Sequence, residues 1–127
     1  MVSSNYSLPV IVAAKRTPIG NFQGGLSSFK GYQLGSAVIK SLGLSGNIDE
    51  VIMGCVLQAS QGQAPTRQAA IHGGVKDTTP CTTINKVCGS GMKAIFIGCD
   101  QIRLNQANLV IAGGMESMSQ TPHYVKN

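Results

Sequence analysis

Charged residues are scarce in this 127-residue sequence, and aromatic residues are scarcer still. Asp, Glu, Lys and Arg make up 12% of the chain, about half of the share that is usual in globular proteins. The ten basic residues are spread singly, with no run longer than Lys15-Arg16. A nucleic-acid surface needs clustered basic residues with interleaved aromatics, so we expect no nucleic-acid partner. The net charge of +5 instead favours anionic small molecules as ligands.

Long hydrophobic runs and closely paired cysteines are absent as well. No segment approaches the roughly 18 apolar residues of a membrane span, and the N-terminus lacks the regions of a signal peptide. The four cysteines are Cys55, Cys81, Cys88 and Cys99. They show no CxxC spacing, which argues against a zinc site, and a reducing compartment is expected without a secretion signal. We therefore expect a cytoplasmic protein with no membrane contact and no bound metal.

The pattern of apolar runs predicts an α/β fold in a single domain that spans residues 1–127. Four runs rich in β-branched residues are typical of strands, at residues 9–14, 50–57, 81–87 and 108–112. Three helical patterns alternate with them, at residues 34–42, 66–72 and 90–104. Strands that alternate with helices form βαβ units, so we expect a mostly parallel sheet.

The third predicted helix carries apolar residues on nearly every face of its first three turns. A helix that is apolar all round is buried on all sides, whereas one sheet covers only one side of it. The low charge of the chain agrees with a surface that is partly covered. We therefore expect a second half of the protein, or a partner chain, to cover the other side of this helix.

Cys88 lies in the run NKVCGSGMKA, residues 85–94, where the third predicted strand meets the third predicted helix. Unpaired N–H groups converge at a helix N-terminus and carry about half a positive charge, which stabilises a thiolate and a developing oxyanion. Gly89 and Gly91 remove side chains from the turn, so that a substrate can approach the sulfur. Together with Ser90 they form a turn that supports a cysteine nucleophile.

Other interpretations of this run compete with catalysis. Cysteine is among the most buried residue types, and core packing is the more ordinary role for the other three cysteines. Residues 89–94 also spell the dinucleotide-binding pattern GxGxxA, but the acidic residue expected about 20 positions later is missing. A nucleophile elbow requires a glycine where Lys86 stands. The residues therefore favour a nucleophilic Cys88.

Five blocks of the sequence resemble the thiolase family, in particular the biosynthetic-type acetyl-CoA acetyltransferases. They are VIVAAKRTPIGNFQGGL (residues 10–26), DEVIMG (49–54), QAPTRQAA (63–70), NKVCGSGMKA (85–94) and AGGMESMS (112–119). No single block is specific, but five in the same order are. The resemblance runs from about Val10 to Tyr124 and implies the N-terminal portion of a thiolase-like α/β domain.

The resemblance implies an acyltransferase that acts on coenzyme A thioesters. Cys88 would attack acetyl-CoA or another acyl-CoA to give an acyl-enzyme, with its own backbone N–H in the oxyanion hole. A second acetyl-CoA would then condense with the acyl group, giving acetoacetyl-CoA and CoA, and thiolysis is the reverse reaction. The family needs no metal and no redox cofactor. Its members are homo-oligomers, dimers or tetramers, and their two α/β halves enclose buried helices.

The sequence also departs from the family pattern. The blocks that carry the activating histidine and the second, acid/base cysteine are missing from these residues, as is the loop domain that holds coenzyme A. His72 and His123 match no catalytic motif, and no residue is assigned to coenzyme A binding. We therefore expect an incomplete piece of a thiolase that is weakly active or inactive, since general acid–base help typically contributes about 10²–10⁴-fold.

Two alternatives to this enzyme remain open. The first is a non-catalytic, thiolase-like assembly subunit, and the intact turn around Cys88 argues against it. The second is an enzyme of the related ketoacyl-synthase branch, which shares the fold and a nucleophilic cysteine. The blocks at residues 10–20 and 63–70 favour a thiolase over that branch.

Overall fold

A computed structural model describes residues 7–44 and 46–126 of the chain. Its helices and strands are α1 Gly31–Ser41, β1 Glu50–Gly54, α2 Pro65–His72, β2 Cys81–Ile84, α3 Ser90–Arg103 and β3 Val110–Gly114, followed by a 3₁₀ turn at Met118–Gln120. The strands form one parallel sheet in the order β2-β1-β3. The predicted α/β class and parallel sheet are therefore confirmed. None of the helices in the described ranges is long and apolar enough to cross a membrane.

The central strand β1 separates two packed layers. Val51, Met53 and Cys55 belong to the buried cluster that α1 and α2 cover. Because successive side chains of a strand alternate between its faces, Ile52 and Gly54 lie on the other side of the sheet. That side carries α3, since Gly54 lies directly against the start of this helix. The sheet is thus covered by the α1–α2 pair on one face and by α3 on the other.

The strand predicted at residues 9–14 is wrong. These residues have no assigned strand, and no backbone hydrogen bond joins residues 9–20 to another described part of the chain. Val10, Ile11 and Val12 are largely exposed, Ile11 by 85%. A β-branched composition favours a strand only where a neighbouring edge supplies hydrogen bonds and packing. Here the segment lies across an open cavity from β3 and pairs with nothing in the described chain.

The outer side of α3, which the sequence predicts to be covered by a second half of the protein or by a partner chain, is uncovered in the described residues. Only Ser90, Ala94 and Gly98 are buried, and they lie on the face that packs against the sheet. Met92 and Phe96 are exposed by 63% and 55%. The sheet covers one side of the helix, and nothing in the described chain covers the other.

The start of β3 is set by the Asp49 carboxylate, just before β1. The backbone N–H groups of Asn108 and Leu109 donate to Asp49 Oδ2 at 2.7 and 3.1 Å. These two donors are therefore occupied before the ladder begins, and β3 starts at Val110, two residues later than predicted. The same hydrogen bonds hold the pKa of Asp49 below its ordinary value of 3.8.

We predict that Asp49 makes the stability of the chain depend on pH below about 4. A carboxyl whose pKa is lowered by folding stabilises the folded state above its unfolded pKa, and this contribution disappears as the pH falls through the folded pKa. Urea unfolding at about pH 6 and pH 3 should show a smaller loss of stability for Asp49→Asn than for the wild type. Asp77→Asn, at an exposed aspartate, is the matched control and should keep the wild-type dependence. An unchanged dependence in Asp49→Asn would contradict the assignment.

Candidate active site

Cys88 is an exposed free thiol in the loop between β2 and α3. It comes directly before Gly89, the N-cap residue of α3, and Ser90 is the first helical residue. β2 ends at Ile84, so that Cys88 lies at the carboxyl edge of the parallel sheet, as the sequence predicts. Ligand sites of open α/β folds lie at this edge.

A tight turn precedes the cysteine and ends β2 earlier than predicted. The Val87 N–H donates to Asn85 Oδ1 at 2.9 Å. The Lys86 N–H donates to Ser90 Oγ at 2.8 Å, and the Ser90 hydroxyl donates to the Val87 carbonyl oxygen at 2.6 Å. Because side chains occupy the N–H groups of Lys86 and Val87, these residues cannot continue the ladder beyond Ile84.

Val87 adopts a left-handed backbone conformation, with φ +48°. This region is costly for a β-branched residue, because the branched Cβ crowds the backbone. The Val87 side chain is also 66% exposed, so that burial compensates little of the cost. The residue directly before the cysteine is therefore held in a strained conformation.

Backbone donors are free next to the sulfur. In the described chain, the N–H groups of Cys88, Gly91 and Met92 donate to no other backbone or side-chain atom. The Lys93 N–H is the first that makes a helical bond, to the Gly89 carbonyl oxygen at 2.9 Å. Free N–H groups at a helix start can bind negative charge on a ligand or an intermediate.

Three glycines place the start of α3 directly on the sheet. A Cβ at Gly54 would lie 2.5 Å from the Ser90 carbonyl carbon and 2.6 Å from the Gly91 nitrogen. A Cβ at Gly114 would lie 3.2 Å from the Gly91 Cα. The ends of β1 and β3 thus touch the first turn of α3 backbone to backbone. From the sequence we expect Gly91 to leave room for the substrate, and in the structure it also packs against Gly114.

Glu116 connects the ends of β1 and β3 and was missed as a site residue in the sequence analysis. The N–H groups of Val56 and Leu57 donate to its two carboxylate oxygens at 2.9 and 3.1 Å. These bonds end β1 at Gly54, three residues before the predicted end. An acidic residue four positions after the end of a predicted strand is the only sequence signal, and it does not specify the partner.

The other cysteines differ from Cys88 in exposure. Cys55 is buried, and burial together with the nearby Glu116 carboxylate raises its pKa to about 11. Cys81 is half-buried, and burial raises its pKa as well. Cys99 is half-buried within α3. The structural roles predicted for these three cysteines agree with their positions.

Neither histidine is in contact with Cys88 in the described chain. His72 ends α2, where its ring lies 5.8 Å from the ring of Tyr32. His123 is exposed in the segment after the 3₁₀ turn. No histidine that could act as a general base for the thiol is therefore found next to it among the described residues.

Cys88 and Val87 lie on the lining of a cavity of about 1200 Å³. Its other walls come from the extended segment at residues 8–22, from α1 and α3, and from β3. Glu116, Val56 and Leu57 also line it. The thiol is thus reached from an open, mostly apolar space.

Comparison with known proteins identifies relatives of this chain. The family profile described as the thiolase N-terminal domain matches residues 9–127. A mitochondrial acetyl-CoA acetyltransferase of Xenopus tropicalis is 51% identical over 119 residues, which cover 90% of this chain and 28% of that protein. An acetyl-CoA acetyltransferase of Pseudomonas aeruginosa is 50% identical over 119 residues, which cover 90% of this chain and 30% of that protein.

A third relative is a probable acetyl-CoA acyltransferase of Staphylococcus epidermidis, which is 51% identical over 123 residues. The matched residues cover 93% of this chain and 31% of that protein. The chain therefore spans about three tenths of the length of the known relatives that it matches.

We predict that Gly54→Ala destabilises the chain and disturbs the start of α3. The new methyl group would lie within 2.6 Å of the Ser90 and Gly91 backbone, which cannot move aside as a flexible side chain could. Overpacking of this kind typically costs about 1–3 kcal/mol, measurable by urea unfolding. Gly25→Ala is the control, because a Cβ at Gly25 meets nothing within 4 Å. Equal stability of the two variants would contradict the contact.

We also predict that thiol reagents distinguish the cysteines of the folded chain. At about pH 8, iodoacetamide should modify the exposed Cys88 first and Cys55 last, because the buried thiol with a pKa of about 11 forms almost no thiolate. Peptide mapping of samples taken over time gives the order. In urea, where burial is lost, Cys55 should react as fast as the others. Rapid modification of Cys55 in the folded chain would contradict the structure.

Proposed function

The chain belongs to the thiolase family, as a thiolase N-terminal domain, and we propose that it transfers acyl groups between coenzyme A thioesters through an acyl-cysteine at Cys88. The observation that carries this proposal is the exposed Cys88 thiol next to free backbone N–H groups at the start of α3. The names of the relatives, acetyl-CoA acetyltransferase and acetyl-CoA acyltransferase, support acyl-CoA as the substrate class.

In the first step, the Cys88 thiolate attacks the carbonyl carbon of acetyl-CoA. A carbon–sulfur bond to Cys88 forms, and the carbonyl electrons move to the oxygen of a tetrahedral intermediate. The carbon–sulfur bond to coenzyme A then breaks, and coenzyme A leaves as a thiolate that takes up a proton from solvent. Splitting the transfer in this way gives a covalent acetyl-enzyme and free CoA.

The free N–H groups of Cys88, Gly91 and Met92 are suited to the negative charge of that intermediate. Preorganised backbone donors stabilise an oxyanion because they do not have to reorient during the reaction. We propose that the Cys88 N–H is one of these donors. Gly89 leaves the approach to the sulfur open, because it carries no side chain between Cys88 and the helix.

In the second step, a second acetyl-CoA loses a proton next to its carbonyl group. The resulting carbanion attacks the carbonyl carbon of acetyl-Cys88, which forms the carbon–carbon bond of acetoacetyl-CoA and releases the Cys88 thiolate. Proton removal requires a base, and neither histidine of the described residues contacts Cys88. We therefore propose that the first step is the part of the reaction that this chain performs by itself, and that it is slow.

The same proposal covers assembly, cofactors and location. The uncovered apolar face of α3, with Met92 and Phe96, favours a homo-oligomer.

The chemistry of the two steps uses no metal and no redox cofactor, since the thiolate and the thioester exchange an acyl group without oxidation. Four free thiols favour a reducing compartment, and we propose the cytoplasm. Fractionation of the source cells tests this location against the mitochondrial one in the name of the Xenopus tropicalis relative.

We predict that acetyl-CoA adds one acetyl group to the purified chain. Intact-mass spectrometry before and after incubation should show a single acetyl-sized gain, and peptide mapping should find it on Cys88. Cys88→Ala should abolish the gain, because no other thiol is both exposed and next to free N–H donors.

Cys99→Ala is the matched control and should be acetylated as the wild type is, since Cys99 is half-buried within α3. No gain in the wild type, while iodoacetamide still labels Cys88, would contradict the proposed function. It would instead favour the non-catalytic assembly subunit.

A further inference from the structure

We propose that Asn85 and Ser90 are positioning residues, which hold Val87 in its left-handed conformation and thereby aim Cys88 at the substrate. This inference rests on the proposed function of Cys88 as an acyl acceptor. It assigns a role to two polar side chains that do not touch the sulfur in the structure.

The strain at Val87 needs an explanation within the turn itself. Gln23, Ser60, Ala64, Val87 and Asn105 are the non-glycine residues with positive φ in the described chain. Val87 is the β-branched residue among them, and such residues avoid this region most strongly. Its side chain is mostly exposed, so that core packing does not hold the conformation. A strained residue persists only when surrounding contacts over-determine it.

Hydrogen bonds on both sides of Val87 provide those contacts. The peptide group before its Cα is held by the bond from the Val87 N–H to Asn85 Oδ1. The peptide group after its Cα is held at the Val87 carbonyl oxygen, which accepts from the Ser90 hydroxyl at 2.6 Å and from the Ser90 N–H at 3.1 Å. Ser90 itself is only 4% exposed and is fixed against Gly54.

The second of these peptide groups contains the Cys88 nitrogen. Its plane therefore sets the direction of the Cys88 N–H and of the N–Cα bond, from which the side chain that carries the thiol extends. If Val87 relaxed to a negative φ, this peptide would turn, and the sulfur and the N–H would no longer keep their positions at the start of α3. The strain is thus used to set the geometry of the nucleophile.

The test compares two reactions of Cys88 in Asn85→Ala and Ser90→Ala. Acetylation by acetyl-CoA requires a directed sulfur and N–H, whereas alkylation by iodoacetamide requires only an accessible thiol. We expect the rate of acetylation to fall about tenfold, which corresponds to the lower part of the usual energy range of backbone strain. The rate of alkylation should change less than about twofold. Asn85→Asp keeps an oxygen acceptor for the Val87 N–H and should restore acetylation. Ser41→Ala, at an exposed serine at the end of α1 that does not line the cavity, should resemble the wild type.

A second variant separates positioning from a general structural role. Glycine adopts a positive φ without the cost that valine has, so the double variant Asn85→Ala/Val87→Gly should recover at least about threefold of the lost acetylation rate. If the two reactions fall together and the double variant recovers neither, the side chains only keep the chain folded, and the inference is wrong. It is equally wrong if acetylation is unchanged in both single variants.

A spectroscopic measurement tests the inference apart from the proposed function. The three-bond coupling between the amide and α protons of Val87, measured by NMR, depends on φ and on no acyl chemistry. In Asn85→Ala the coupling should move away from its left-handed value. If the wild type fails to react with acetyl-CoA, the proposed function of Cys88 is wrong. If the Val87 coupling is unchanged in Asn85→Ala, the positioning role is wrong, whatever the result with acetyl-CoA.

Discussion

The backbone contact between the first turn of α3 and the ends of β1 and β3 determines where Cys88, the proposed nucleophile, lies. Gly54, Gly91 and Gly114 meet there at distances that leave no room for a Cβ at Gly54. Further along the helix, a Cβ at Gly98 would lie 3.1 Å from the Val110 side chain. The helix therefore lies close to the sheet over its first three turns, and its free N–H groups are held at the carboxyl edge. The position of Cys88 follows from this packing.

Beside each of the three strands, at the start of β3 and at the ends of β1 and β2, a polar side chain accepts hydrogen bonds from backbone N–H groups that a neighbouring strand would otherwise bind. Asp49 occupies the donors before β3, Glu116 those after β1, and Asn85 with Ser90 those after β2. In each case a backbone N–H that could have extended a strand is bound by a nearby side chain. The loops that follow β1 and β2 are thereby fixed rather than extended. This allows the carboxyl edge of a three-stranded sheet to carry a defined turn around Cys88.

Much of this arrangement could be predicted from the sequence, because it depends on local patterns. The α/β class, the three helices and the place of Cys88 between β2 and α3 follow from apolar periodicity and from glycine spacing. The missing strand at residues 9–14 could not be foreseen, since its composition is that of a strand and only the lack of a paired edge excludes it. The role of Glu116 depends on partners about 60 positions away, and no local pattern specifies them. The left-handed Val87 is likewise invisible in the sequence, where valine after Asn85-Lys86 continues a typical strand.

The most direct test of the account is isotope exchange between free coenzyme A and acetyl-CoA. If Cys88 accepts the acetyl group reversibly, the chain should transfer label from free coenzyme A into acetyl-CoA with no second acyl substrate present. Cys88→Ala should abolish the exchange, because the acetyl group would have no covalent acceptor. An absence of exchange in the wild type, with Cys88 still accessible to alkylation, would contradict acyl transfer at this cysteine.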